Sequence, residues 1–246
     1  MTATQGKRVC LLTGASGELG QMFCRMFGGY YDIAAVYCHN LPKVPSQLQW
    51  FADPLNPHAG LAENQNPVFA VRADLCDEAD LHRVVEVTLA HFGRIDLLVN
   101  AAAFSSMAPM LDGDGLYRNF HQQINVNVFV PLRLSALVAQ KFWKNRDVEN
   151  RQANRSIVNV SSTSGLYVYP DRGQSVYSAS KAALNYLTLH MAGEFAPAGI
   201  RVNALAPTSF PSLIPTEAAA DGIRRLSESD ANGKILVLDA GSERWL

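Results

Sequence analysis

Short apolar runs alternate with longer stretches of helical spacing along the whole chain, and this alternation limits the fold more than any other feature. Residues 8–13 (RVCLLT) read as a first buried strand, 32–37 (DIAAVY) as a second and 68–72 (VFAVR) as a third. Residues 95–99 (IDLLV) and 156–160 (SIVNV) read as a fourth and a fifth, and strands recur at 200–205 and 234–238. Helical spacing covers 18–27, 77–91, 115–143, 176–195 and 217–228; in the second of these Leu81, Val84, Val85 and Leu89 share one face. Strands that are apolar at nearly every position must be covered on both faces, which points to a parallel sheet between two helical layers. Right-handed crossovers then make it doubly wound. No composition shift divides the 246 residues, so one α/β domain over 1–246 is expected.

Composition excludes several functions. The formal net charge is −1 with no run of like charges, so nothing draws the chain to nucleic acid or an acidic membrane. The start, MTATQGKR, has no apolar signal core, and no later stretch has the uninterrupted apolar length of a membrane span. Cys10, Cys24, Cys38 and Cys76 form no CxxC pair, and the six histidines form no ligand cluster. A cytoplasmic protein with free thiols and no bound metal is expected. Two segments read as insertions: 41–67, interrupted by Pro42, Pro45, Pro54, Pro57 and Pro67, and 145–155, polar enough for an exposed loop. Trp50, Phe51, Trp143 and Trp245 read as packing or interface residues rather than a base-stacking platform.

Chemistry first shows in TGASGELG, residues 13–20, between the first strand and the first helix. A Rossmann-like dinucleotide site needs glycine there: the backbone must turn sharply, approach a pyrophosphate closely and let the helix pack on the strand. The helix N-terminus then offers N–H groups to phosphate. Gly14, Gly17 and Gly20 meet these needs, and Ser16 adds a hydroxyl. The second signal is YSASK, 177–181, on a helical stretch. Tyr177 and Lys181, four apart, share a face. A free phenol titrates near ~10, too high for proton exchange at neutrality, and a neighbouring ammonium lowers it. Ser161 and Ser162 stand just beyond the fifth strand, where open α/β sheets bind ligands.

These motifs, in this order, resemble the short-chain dehydrogenase/reductase family in its branch of about 250 residues. The likeness runs from Arg8 to about Gly241 and adds ADL (73–75), HFGRIDLLVNAAA (91–103), INVNVFVP (124–131) and GIRVNALAP (199–207). It implies an oxidoreductase that moves a hydride between NAD(P) and a carbonyl or secondary alcohol. Tyr177 would be the acid–base group, Lys181 would lower its pKa and bind the nicotinamide ribose, and Ser162 would polarise the carbonyl. Asn127 would hold a water of a proton relay, with Asn125 as the alternative. Gly14, Ser16, Gly17, Leu19 and Gly20 would surround the pyrophosphate. Asp74 and Leu75 would meet the adenine, Asn100, Ala101 and Ala102 would lie beside the cofactor at the fourth strand, and Pro207 would approach the carboxamide. The same scaffold can also serve a net non-redox change, dehydration or epimerisation, or bind cofactor without turnover.

Departures from the family pattern carry further expectations. Glu18 stands where a glycine is usual, and a carboxylate beside pyrophosphate repels it unless turned away. Ala101, Ala103 and Thr208 replace an asparagine and two glycines. The stretch from Ser162 to Tyr177 is two residues longer than usual. After the second strand come Cys38, His39 and Asn40, with no carboxylate to accept from a ribose 2′-hydroxyl, so NADP(H) is favoured over NAD(H), with His39 and Lys43 facing its 2′-phosphate. The stripe Ala182, Ala183, Leu187 and Met191 is too wide for one packed face, which implies a homodimer or homotetramer. Only 208–216 (TSFPSLIPT) remains as a lid, too short and proline-rich for a helix. Such a flap leaves the pocket open for a bulky or carrier-tethered substrate. A partner segment such as the C-terminal GSERWL could complete the wall, or the loops at 41–67 and 170–174 could cover it.

Overall fold

The computed structural model describes residues 6–44, 68–170 and 172–246. The proline-rich stretch from Pro45 to Pro67, with Trp50 and Phe51, therefore lies outside the described residues.

Eight strands form one sheet: β1 (Arg8–Leu12), β2 (Tyr31–Tyr37), β3 (Phe69–Arg72), β4 (Leu97–Asn100), β5 (Ser156–Val160), β6 (Arg201–Pro207), β7 (Ile235–Asp239) and β8 (Ser242–Trp245). Their order is β3-β2-β1-β4-β5-β6-β7-β8. All neighbours pair in parallel except β7 and β8, which are antiparallel. Strand residues alternate between the two layers. Cys10, Leu12, Ile33, Ala35, Leu97 and Val99 face α1 (Glu18–Phe27) and a later helix, α7 (Thr216–Glu228). Leu11, Ala34, Val36, Leu98, Ile157 and Val202 face the other layer. That layer holds α2 (Glu78–Phe92), α4 (residues 120–143) and α6 (Ser175–Phe195). The parallel strands are thus covered on both faces, as their apolar runs require, whereas β8 is exposed along its length. The order reverses between β1 and β4, which places a crevice at their carboxyl ends.

Two expectations need correction. The stretch 115–143 is not one helix: α3 (Gly113–Arg118) ends at Asn119, and α4 mixes α turns with wider π turns over Asn125–Phe129 and Ala139–Trp143. The polar segment 145–155 is exposed over 145–149 and 151–152 as expected, but it is not a loop throughout: it folds into α5 (Asp147–Gln152), and two of its polar residues serve buried partners. Asn150 is fully buried and donates to the carbonyls of Trp143 and Ala198 at 2.8 and 2.7 Å. Arg155 reaches the buried Asp96, which Arg94 also holds at 2.7 Å. Hydropathy alone cannot separate a solvated polar group from one that caps buried backbone. The C-terminal GSERWL, expected as a partner's wall segment, forms β8 on the outer edge of the sheet, outside the lining of this chain's own crevice.

The α6 stripe also needs redrawing. Leu187 and Met191 pack on the core, whereas Ala182, Tyr186 and Leu189 face outward, Tyr186 with 66% of its surface exposed. Phe129 on α4 is also exposed. Trp143 is fully buried and donates from its ring to the Ile95 carbonyl at 2.8 Å, a packing role as expected. Among the described residues no helix is long and apolar enough to cross a membrane, and no group of acidic, histidine and cysteine side chains could hold a metal.

Candidate active site

The glycine turn is built to admit a phosphate. Gly14 has φ of 69°, and a Cβ there would meet the Ala101 carbonyl oxygen and the Ala102 nitrogen at 2.7 Å. Gly20 has its own reason: a Cβ would run into the Gly14 carbonyl. Thr13 locks this turn to the end of β4, its hydroxyl oxygen accepting from the nitrogens of Ala101 and Ala102 at 3.0 and 3.1 Å. No side chain caps α1 at Gly17, so its first-turn N–H groups remain for a ligand. These features fit a dinucleotide pyrophosphate. Glu18 also lines this side of the site, and its carboxylate accepts from the Thr216 hydroxyl at 2.6 Å, which ties it to α7.

One cavity of 1430 Å³ runs over the carboxyl ends of the strands. Gly14, Ser16, Gly17, Leu19, Gly20, His39, Asp74, Leu75, Ala101 and Ala102 line it on the nucleotide side. Ser162, Tyr177, Lys181 and Pro207 line the remainder. Two expected residues do not reach it. Asn100 is buried behind the strand, where its amide donates to Asn159 at 2.8 Å and to Ser135 at 3.3 Å. It braces β4 against β5 and offers no atom to a cofactor. Asn127 is fully buried as well. Its amide oxygen accepts from the Phe104 nitrogen and its amide nitrogen donates to the Phe104 carbonyl, each at 2.8 Å, with a further bond to Ser180 at 3.0 Å. Both N–H bonds of the amide are thereby committed, and the fully buried side chain does not reach the cavity. Its backbone carbonyl differs. Pro131, four residues on, has no N–H to serve as the usual helical donor to it. Asn125, the alternative, does line the cavity.

Burial raises the Tyr177 phenol above its ordinary value, and a hydrogen bond with Ser162 works against the rise. Lys181 is buried beneath, its ammonium donating to the Val160 carbonyl at 2.8 Å and standing 5.8 Å from the Tyr177 ring centroid. Burial lowers its pKa to about 8. The net direction for the phenol is upward, so burial outweighs the pull of Lys181 on it.

Several lining residues escaped the sequence reading, among them His121, Tyr169, Arg172 and Gln174, and so did Arg72 in an adjoining recess. Arg72 ends β3 in register with Tyr37 of β2, so it stands beside Cys38 and donates to that carbonyl at 3.3 Å. The signal was the adjacency of β2 and β3, which a search for an arginine following β2 misses. Tyr169 and Arg172 lie in the longer connection before α6, where one sequence gives no register.

The sequence profile of the family described as short chain dehydrogenase matches residues 8–221. The chain is 29% identical to 3-oxoacyl-(acyl-carrier-protein) reductase FabG of Thermotoga maritima over 89% of its own length and 82% of that protein. It is 34% identical to 2-(R)-hydroxypropyl-CoM dehydrogenase of Xanthobacter autotrophicus over 81% of its length and 73% of that protein. A dehydrogenase/reductase from Sinorhizobium meliloti has the same fold, with a TM-score of 0.76 at 21% identity, over 95% of this chain and 94% of that one. A glycine turn open to phosphate, a serine–tyrosine–lysine set over one crevice and a matching profile across most of the length lead to one assignment: the chain belongs to the short-chain dehydrogenase family, oxidoreductases that work with NAD or NADP.

Proposed function

We propose that this chain reduces a bulky ketone with NADPH. The observation that carries the reading is the placement of Ser162 and Tyr177 together at the cavity wall, with Lys181 buried beneath them. Bound nicotinamide would supply the hydride. Ser162 holds the carbonyl oxygen, and Tyr177 delivers its proton to that oxygen as negative charge develops there. Lys181 offers N–H donors toward a ribose and stabilises the phenolate left behind. The Asn127 backbone carbonyl is the atom that would hold a relay water. Because burial raises the phenol, Tyr177 keeps its proton at neutral pH, which suits an acid and hence reduction. Consumption of NADPH by a panel of ketones, followed at the reduced-nicotinamide band, tests the activity. Reduction should hold level through neutrality and fall in alkali as Tyr177 loses its proton.

NADPH is preferred on the strength of a recess of 390 Å³ at the ends of β2 and β3, continuous with the main cavity. Arg72 and Arg83 bring positive charge to it, Asp74 and Asp80 bring negative charge, and His39 adds its ring to the lining. Arg83 is committed to Asp80, so Arg72 is the guanidinium left to meet a 2′-phosphate. Charge-assisted bonds contribute about 1.5–3 kcal/mol. Arg72→Ala is therefore expected to raise the KM for NADPH by about 10–100-fold and to move that for NADH little. Wild-type kcat/KM higher for NADH than for NADPH would contradict the preference.

Residues 208–215 form turns rather than a helix, with Ile214 buried, Phe210 against the core and Leu213 exposed. A flap anchored this low leaves the crevice open and supports a large substrate. The outward residues Ala182, Tyr186, Leu189 and Phe129 form the apolar surface of a homodimer or homotetramer working in the cytoplasm, where the four free cysteines stay reduced. Light scattering at micromolar concentration should show the oligomer, and Tyr186→Glu with Leu189→Glu should dissociate it. A stable wild-type monomer would remove this part of the reading.

A further inference from the structure

Charge is unevenly distributed around the cavity. Glu18 and Asp74 are the carboxylates among its described lining, and both lie on the nucleotide side with partners, Thr216 and the Cys76 nitrogen. The substrate side carries Arg172 and His121 and no carboxylate among the described residues. Arg172 lies in the connection between β5 and α6. Its guanidinium stands 5.6 Å from the Tyr169 ring centroid, and no carboxylate among the described residues pairs with it. Tyr169 is itself fixed, its hydroxyl donating to Thr163 at 3.1 Å, next in the chain to Ser162.

Two independent features beside Arg172 also call for an acceptor. Gln174 lines the cavity with 9% of its surface exposed, and its amide nitrogen is buried without a hydrogen-bond partner. An orphaned donor of this kind costs free energy until something accepts from it. The 21-residue helix α6 starts at the next residue with no side chain capping it, which leaves first-turn N–H groups in the same neighbourhood. The loop presenting these groups is anchored. The Gly173 carbonyl accepts from the Ala108 nitrogen at 2.7 Å, φ of Gly173 is 60°, and a Cβ there would meet the Ala108 carbonyl carbon at 2.9 Å.

We infer that Arg172, with Gln174 and the start of α6, forms an anion subsite, so that the substrate is a ketone bearing a carboxylate, phosphate or sulfonate at its far end. The inference rests on the reductase reading for the word ketone, and on the subsite alone for the anion. A guanidinium fork takes such groups in a bidentate way, and the aromatic face of Tyr169 holds its plane. Tyr169 bridges from Thr163, beside Ser162, to Arg172. The anion therefore sits one tyrosine side chain away from the carbonyl, which calls for a spacer of several bonds rather than a 2-oxo acid.

The test uses the NADPH-loaded enzyme with methyl-ketone carboxylates from 4-oxopentanoate to 8-oxononanoate, each beside its methyl ester. At the best length, kcat/KM for the acid should exceed that for the ester by at least ~10-fold, as loss of a charge-assisted pair implies. That ratio should fall toward one in Arg172→Met and recover in part in Arg172→Lys. Calorimetry with adipate and suberate reads the subsite without turnover, and binding should weaken in Arg172→Met. If none of the ketones is reduced but the dicarboxylates bind through Arg172, the subsite stands and the reductase reading fails. Equal ratios in wild type and Arg172→Met, or no dicarboxylate binding together with no acid preference, overturn the subsite.

Discussion

Tyr177→Phe is expected to lower turnover by at least ~100-fold while nicotinamide cofactor still binds. The substitution removes one hydroxyl and keeps the ring, so the packing of α6 against the cavity wall survives. What disappears is the proton that must reach the substrate oxygen. Ser162 would still hold a carbonyl, but as a donor of much weaker reach. Binding is read by nicotinamide fluorescence and turnover by single-turnover absorbance. A phenylalanine variant that reduces ketones at near wild-type rates would show that another group supplies the proton.

Lys181→Met should injure both cofactor affinity and turnover, and it carries a separate signature in stability. Burial lowers Lys181 from its ordinary 10.5 to about 8, and its ammonium donates to the Val160 carbonyl. Between those two values the unfolded chain binds a proton that the folded chain has released, so the Lys181 contribution to stability rises with pH. Below about 8 the penalty for burying the ammonium is fully present. A shift of this size corresponds to about 3 kcal/mol at most. Cys24, pushed up to about 12, acts in the opposite direction above its free value, but it is common to both proteins and cancels in the difference. Urea unfolding at pH values on either side of this window should therefore show wild type gaining on Lys181→Met as pH rises. A difference that does not change with pH would mean that the lysine titrates normally and is not held as described.

The fold was legible wherever periodicity and burial coincide. The seven parallel strands and the helices α1, α2, α6 and α7 sit within two residues of their sequence positions because each apolar run must be covered. What escaped was set by tertiary partners. The polarity of Asn150 and Arg155 reads as solvated loop, yet both cap buried groups. Leu187 and Tyr186 look equally suited to an interface until the direction of α6 is known. The site followed the same rule. Gly14, Ser162, Tyr177 and Lys181 were found because their chemistry requires those residue types at those places. Asn100 and Asn127 were placed correctly in sequence, but their side chains serve the scaffold. Arg72 and Arg172 were missed, because one depends on which strands are neighbours and the other on the path of an irregular connection.

The central claim is a direct hydride transfer to a carbonyl carbon under the control of Tyr177. It is tested by incubating the enzyme with NADPH deuterated at C4, separately on each face, and a ketone that it consumes. Mass spectrometry of the product then reports where the label went. The account predicts one deuterium on the new carbinol carbon from one of the two labelled cofactors, none from the other, and a rate that collapses in Tyr177→Phe. Product that forms without deuterium while the reduced cofactor is returned unchanged would contradict it and mark a net non-redox reaction on the same scaffold.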